Sequence, residues 1–303
     1  LDRMATLETR VRQNEIPVSR LAASELRELE PNVRGLGALL VASTGIVSYP
    51  EIARALAEEA SIGGTEIRLG AQVRGIRDSG ADVGVETAGE TIRARRLVAC
   101  AGLQADRVAL ASGIRVEERI VPFRGEYYEL PDGRRNLVRH LIYPIPDPGL
   151  PFLGIHLTPM IDGRLTVGPN AVLGLAREGY RRGSLDLADL GAMASFPGFW
   201  RTVRTNLRSG VREMRNSILR SGYLGEARRY CPGLEPSDLR PYPAGIRAQA
   251  VRRDGSLVDD FLFAQTDRML HVVNAPSPAA TSALPIGELI AERLLRPSGA
   301  GPP

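Results

Sequence analysis

Three histidines, one arginine lodged in an apolar run and one Pro-Ser-Pro loop are the features of this 303-residue chain whose types and spacing suit chemistry. His156 lies between Ile155 and Leu157 on a segment patterned as a strand, and His140 opens the run HLIYPIPDP. Imidazole accepts protons near neutral pH, so both are candidate bases. A histidine on such a strand serves equally well as a core or edge residue satisfied by a backbone carbonyl. His271 sits in a uniformly apolar run and takes no chemical role. Arg247, in Gly245-Ile246-Arg247-Ala248-Gln249, falls inside a predicted strand. Facing inward it needs a partner, and a carboxylate gripped by two parallel hydrogen bonds is the best one; at an edge it snorkels to water. The segment NAPSPAATSALPIG, Asn274 to Gly287, leads from a strand into a helix whose first turn is small and hydroxylated. Its unpaired N–H groups and helix dipole suit an anionic or electron-rich ligand edge, and they suit a simple Ser/Thr cap as well.

The elements that must position these residues follow from pattern. Helices are predicted over 1–15, 22–30 and 50–60, and strands over 38–42, 66–69, 72–78, 82–87 and 91–93. A continuous apolar strand over 97–101 then runs through Gly102 into a helix over 104–111. This alternation has the texture of a doubly wound α/β nucleotide-binding domain. From Arg119 the pattern turns antiparallel, with strands over 119–130, 137–145, 152–158 and 164–168, the last two flanking the hairpin dipeptide Asp162-Gly163. A helical block over 185–230, a proline-rich return, strands over 245–251, 261–264 and 269–273, and a last helix to about 295 complete the chain. A mostly antiparallel lobe is therefore expected to interrupt an α/β lobe, with pieces 1–118, 119–243 and 244–303.

Composition excludes several classes. The 39 basic residues are all arginine against 35 acidic ones, a net charge of +4. They are spread through every segment and no nucleic-acid motif occurs, so no nucleic-acid partner is expected. Cys100 and Cys231 stand alone, without metal-ligand or redox spacing, and fit free thiols in a reducing cytoplasm; no metal is expected. No apolar run approaches the length of a membrane helix, and no secretory signal opens the chain. Leu1 stands where a methionine would start a primary product, so the chain is expected to begin after a cut.

The runs VPFRGEYYEL (Val121–Leu130), HLIYPIPDP, FLGIHLT with DGRLTVGPNA, AGIRAQAV, NAPSPAATSALPIG and Ser43–Tyr49 together resemble the FAD-dependent L-2-hydroxyglutarate oxidase/dehydrogenase family. That family belongs to the D-amino-acid-oxidase-like flavoenzymes, and the likeness extends from about Leu21 to about Leu295. It implies a FAD-binding lobe interrupted by a substrate lobe. It also implies oxidation of L-2-hydroxyglutarate to 2-oxoglutarate, a base taking the hydroxyl proton while hydride passes to flavin N5. By resemblance Val73 contacts adenine, and Ala101 and Gly102 lie beside ribose and pyrophosphate. Pro276, Ser277, Pro278, Ala279, Ala280, Thr281 and Ser282 face the flavin. Arg247 holds the substrate carboxylate, and His156, or else His140, is the base. Arg124, Tyr127, Asn170 and Gln249 are substrate-lobe candidates. Peripheral contact with the inner face of a membrane, for a quinone acceptor, is compatible with this reading.

The family's opening strand, Gly-x-Gly-x-x-Gly turn and helix do not occur in the sequence. Gly35-Leu36-Gly37 precedes a strand and lacks the third glycine. The flavin lobe is therefore expected to lack its phosphate cradle, and the chain alone to purify without stoichiometric FAD. A related amine or amino-acid oxidase, and a non-catalytic remnant, stay open as alternatives.

Overall fold

A computed structural model describes residues 1–146 and 154–295. The first part contains α1 (Asp2–Gln13), β1 (Ser19–Ala22), α2 (Ala23–Leu29), β2 (Gly37–Leu40), α3 (Tyr49–Ile62), β3 (Gly75–Asp78), β4 (Val83–Glu86), β5 (Thr91–Ala94), β6 (Leu97–Ala99) and α4 (Ala105–Ala111). Strands β3, β4 and β5 form an antiparallel meander, as their alternation predicts. The predicted strand 66–69 and the start of 72–78 do not form. A strand needs a neighbour for its N–H and C=O groups; pairing with β4 begins only at Arg74, whose N–H donates to the Glu86 carbonyl at 2.8 Å, and before it Ile67, Leu69 and Val73 are exposed outside any strand.

The inserted part begins with the long strand β7 (Arg119–Glu129) and continues with β8 (His156–Pro159), β9 (Leu165–Gly168) and β10 (Val172–Leu173). Strands β8 and β9 form the hairpin that Asp162-Gly163 predicts, with Gly163 at φ +80° and the Asp162 carboxylate accepting from the Arg164 N–H. The expected strand over 137–145 shrinks to one bridge, Ile142 opposite Leu157, and residues 152–153 of its predicted neighbour lie outside the described residues. The helical block divides into α5 (Leu187–Ala194), α6 (Pro197–Thr205), α7 (Leu207–Ile218) and α8 (Arg220–Arg228). The break before α6 falls where Pro197 starts a new first turn, the place that tolerates its missing N–H.

Strand β11 (Arg240–Val251) returns antiparallel to β7 along nearly its full length, from Arg240 opposite Glu129 to Val251 opposite Arg119. It starts earlier than predicted, through Pro241 and Pro243. Prolines are tolerated there because, among the described strands, β11 pairs with β7 alone, and its register shifts between Tyr242 and Gly245. The chain closes with β12 (Leu262–Gln265), β13 (Met269–Asn274) and α9 (Ala283–Leu295). Strand β13 pairs parallel with β6, Met269 opposite Leu97, so pieces from both ends of the sequence build one sheet. Among the described strands, the doubly wound expectation is met here by one parallel pair.

Two apolar cores hold the inserted lobe. Tyr128, Leu157, Leu165 and Val167 from the sheet meet Tyr223, Leu224 and Ala227 of α8, with Cys231 and Leu234 behind them. Val121 and Val251 meet Met193, Phe196 and Phe199 of α5 and α6. Cys231 is wholly buried, where burial pushes its thiol up to about 11, so it acts as a small apolar residue. A buried ionic knot ties the lobes. Arg177 forks onto Asp106 of α4, with Nη2 to Oδ2 at 2.8 Å and Nη1 to Oδ1, and also donates to the Leu103 carbonyl at 2.7 Å. The second Asp106 oxygen also accepts the Ile120 N–H at 3.1 Å. Asp189 of α5 accepts the Arg177 N–H at 2.7 Å and the Arg107 guanidinium at 2.5 Å.

Candidate functional site

The sheet of the inserted lobe lays the predicted chemistry out in rows. Tyr242 pairs with Tyr127 on β7, Tyr128 pairs with Val167, and His156 pairs with Gly168 one step further along β9. Tyr242, Tyr127, Gly168 and His156 therefore share one row across β11, β7, β9 and β8. Gly168 is obligatory in that row. At φ +144°, a Cβ would stand 2.8 Å from the Glu126 carbonyl and 2.8 Å from the Tyr223 hydroxyl. Gly168→Ala is expected to cost about 1–3 kcal/mol of stability, read as a lower chemical-denaturation midpoint with an unchanged slope.

His156 is set up as a neutral proton acceptor. Its Nδ1 lies 3.3 Å from the Gly154 carbonyl, which can only accept, so Nδ1 carries the hydrogen and Nε2 the lone pair. Burial pushes the imidazole below its ordinary range, and the Gly154 contact offsets part of that. The Tyr143 ring stacks on it, centroids 4.3 Å apart and planes inclined by 21°. Tyr143 and Tyr127 both have phenols raised by burial; the Thr158 hydroxyl counters this at Tyr143, and Tyr143 adds to it at Tyr127. Tyr143 escaped the sequence reading. The signal was the bridge between Ile142 and Leu157, which sets Tyr143 beside His156 but depends on a register that sequence alone does not give.

His140 occupies a different setting. The buried carboxylate of Glu30 accepts from the Arg139 N–H, the His140 N–H and His140 Nδ1, all at 2.7–2.8 Å. This fixes the His140 ring from below and leaves Nε2 outward, but the ring makes no described contact with the His156 row.

Arg247 lies on β11 opposite Phe123, half-buried, and burial lowers its guanidinium from the usual arginine value. Phe123 is four residues along β7 from Tyr127, about 13 Å at a strand's rise, and β8 is three strand spacings from β11, about 14 Å. Only an elongated ligand gripped by long side chains bridges Arg247 and His156 across that span. Arg124 and Asn170 converge on Glu126, which the sequence reading passed over. Arg124 donates to Glu126 Oε1 at 2.9 Å; Asn170 accepts the Glu126 N–H at 2.8 Å and donates to Oε2 at 3.2 Å. Their polar ends shape the wall through that buried acid. Gln249 is buried and donates to the Ala250 and Val258 carbonyls, so its amide braces the junction between lobes.

The cofactor candidates separate into two groups. Strands β6 and β13 run parallel, so their carboxyl ends deliver Ala101-Gly102 and the loop Pro276–Ser282 to one edge, where ligands of open α/β sheets bind. Gly102 has φ +50° and open space where a Cβ would stand. Asn274 anchors the loop's root, accepting from the Ala250 N–H at 3.2 Å and donating to the Asp260 carbonyl at 2.8 Å. Val73 lies apart on the exposed stretch, 42 % accessible. Ala101, Gly102, Ala279 and Ala280 along this edge are all small. No strand–glycine-rich turn–helix cradle for a pyrophosphate is present in the sequence.

A model of the FAD dependent oxidoreductase family matches residues 1–293. The chain is 48 % identical over 303 residues to an L-2-hydroxyglutarate dehydrogenase of Salmonella houtenae, covering 99 % of this chain and 72 % of that protein. It is 49 % identical over 295 residues to an L-2-hydroxyglutarate dehydrogenase of an Escherichia coli strain, covering 97 % of this chain and 70 % of the relative. Among solved structures, it resembles dithionite-reduced L-alpha-glycerophosphate oxidase from Mycoplasma pneumoniae with FAD bound. The TM-score is 0.68 at 18 % identity, over 97 % of this chain and 69 % of that one, a likeness of fold.

Proposed function

From a chain that belongs to the FAD-dependent oxidoreductase family, alongside its L-2-hydroxyglutarate dehydrogenases, we propose the oxidation of L-2-hydroxyglutarate to 2-oxoglutarate. The supporting observation is identity of 48–49 % to two bacterial relatives, sustained over 97–99 % of the chain. Residues 119–243 are taken as the substrate domain, and 1–118 with 244–303 as the FAD-binding part.

FAD, when bound, supplies the two-electron acceptor. Residues 276–282 would face its flavin ring and Ala101 and Gly102 its ribose and pyrophosphate, with Val73 toward adenine. The chain's own residues do the rest. Arg247 grips a substrate carboxylate, and an elongated dicarboxylate suits the distance from Arg247 to the His156 row. His156 Nε2 takes the hydroxyl proton, with Tyr143 and the Gly154 carbonyl fixing the ring. Tyr127 lines the same row, and Arg124 and Asn170 keep the wall in shape through Glu126. His140 is the second choice of base.

The test is a substrate panel on enzyme loaded with FAD, read with an artificial electron acceptor. L-2-hydroxyglutarate should reduce the dye; the D enantiomer, glycine and glycerol 3-phosphate should not. Turnover with an amine alone would replace this reading with an amine oxidase, and 2-oxoglutarate binding without any turnover would favour a remnant. Arg247→Ala should raise KM and lower kcat, together about 30-fold or more in kcat/KM, as for loss of one partner of a buried charge pair. Unchanged kinetics would remove Arg247 from the site.

Peripheral contact with the inner face of a membrane, as a quinone acceptor requires, belongs to the same proposal. Among the described residues no helix is long and apolar enough to cross a bilayer.

A further inference from the structure

Glu30 is a buried carboxylate that packing does not account for. It follows α2 directly and is 2 % exposed. Nearby residues on both sides, Leu26 and Val33 in its own stretch and Leu137 and Val138 across from it, enter one apolar core. Every hydrogen bond it makes falls on one oxygen: Oε1 accepts from the Arg139 N–H at 2.8 Å, the His140 N–H at 2.7 Å and His140 Nδ1 at 2.8 Å. Its Oε2 is buried and has no hydrogen-bond partner among the described residues. A buried carboxylate with one bare oxygen costs stability. What the bonds to Oε1 accomplish is to pin the backbone at 139–140.

That backbone leads straight to the candidate base. Two residues on, the Ile142 N–H donates to the Leu157 carbonyl at 2.9 Å and the Leu157 N–H to the Ile142 carbonyl at 3.0 Å. Tyr143 follows, and its ring stacks on His156. The same turn also reaches the stack from its other side. The Asn32 amide donates to the Leu137 carbonyl at 2.9 Å, and the Arg34 N–H donates to the Tyr230 carbonyl at 2.8 Å. The Tyr230 hydroxyl in turn donates to the carbonyl of Ile155, the residue before His156. Residues 30–34 thus brace both members of the Tyr143–His156 stack. They lie in the part taken as FAD-binding, whereas the stack lies in the substrate domain.

We infer that Glu30 is a positioning residue: through the Arg139 and His140 N–H groups it holds Tyr143 against the His156 ring and so aims Nε2. This rests on the reading of His156 as the base. The part that holds the cofactor then also sets the direction from which the hydroxyl proton is taken, so the two halves of the reaction are aligned by one turn. A misplacement of about 1 Å, small against the swing of a freed imidazole, is enough to cost about 10²-fold in rate.

Nitrogen-15 NMR of the histidine-labelled 303-residue chain tests this without the cofactor. The chain has three histidines, and the His156 signal is the one lost in His156→Ala. The titratable side chains set around His156 are the Tyr143 and Tyr127 phenols, and burial holds its midpoint below 6.5. Glu30→Ala should let Tyr143 leave and water enter, which moves that midpoint up towards 6.5. In enzyme loaded with FAD the same variant should lower kcat about 10²-fold with little change in KM. Glu30→Gln keeps a carbonyl oxygen for the two backbone N–H groups and should restore most of both. Tyr230→Phe removes only the tie to Ile155 and should move the midpoint in the same direction by less, which keeps the test open if Glu30→Ala misfolds. A His156 midpoint unmoved by Glu30→Ala and by Tyr230→Phe, whatever happens to Tm, would overturn the inference and leave His156 as the base. A midpoint that moves while the acid limb of kcat/KM ignores His156→Ala would take the base's role from His156 and reduce Glu30 to a structural brace.

Discussion

Arg177→Ala is expected to cost about 3–5 kcal/mol of stability, because it strands a buried carboxylate. Arg177 and Asp106 are both almost fully buried, at 3 % and 1 % exposure, so water does not replace the lost guanidinium. The same side chain also satisfies the Leu103 carbonyl, and Asp106 holds the Ile120 N–H at the foot of β7. Thermal unfolding followed by circular dichroism should show a fall in Tm of roughly 6 °C or more at about 2 °C per kcal/mol. Replacing the pair together, Arg177→Met with Asp106→Leu, should recover much of the loss, since the burial penalty of both charges disappears. An unchanged Tm in the single variant would mean the knot contributes nothing. The neighbouring Asp189 adds a pH signature. Burial raises its carboxyl, but the Arg177 N–H and the Arg107 guanidinium outweigh that and hold it below 3.8. A folded value below the unfolded one contributes stability present above the unfolded pKa, which is lost as the pH falls through the folded value. The tie between lobes should therefore loosen only below about pH 4.

His156→Ala should lower kcat by about 10³-fold in enzyme loaded with FAD, the usual worth of a placed general base. KM should change little, because the carboxylate grip lies at Arg247. The pH profile separates this role from a structural one. Burial pushes the His156 imidazole below 6.5, so the acid limb of kcat/KM should titrate on the acid side of 6.5. Tyr143→Ala, which opens the ring to water, should move that limb upward. An acid limb unaffected by His156→Ala would give the proton to another group, with His140 the next to try.

Much of this was legible from local pattern. The Asp162-Gly163 hairpin and the strands carrying Arg247 and His156 follow from short-range chemistry. What stayed hidden depends on register and on partners. Tyr143 and His156 are thirteen residues apart and meet only because Ile142 bridges Leu157. Glu126 draws Arg124 from its own strand and Asn170 from beyond β9, and no spacing rule links them. Residues 66–69 read as a strand by composition, yet composition supplies no neighbour for their backbone.

The parallel pairing of β6 with β13 also sets a timetable. Leu97 must wait for Met269, about 170 residues later, and ribosomes add about 5–20 residues per second. For roughly 10–30 s of synthesis β6 has no β13 to pair with, while the whole inserted lobe emerges and folds. Strands β7 and β11 then close side by side, Arg119 against Val251, and bring the two distant pieces within reach. The substrate lobe thus acts as the clasp on which the older half of the sheet depends: its folding must come first, and a slow codon or a destabilised β7–β11 ribbon would lengthen the time that β6 stays open to wrong partners.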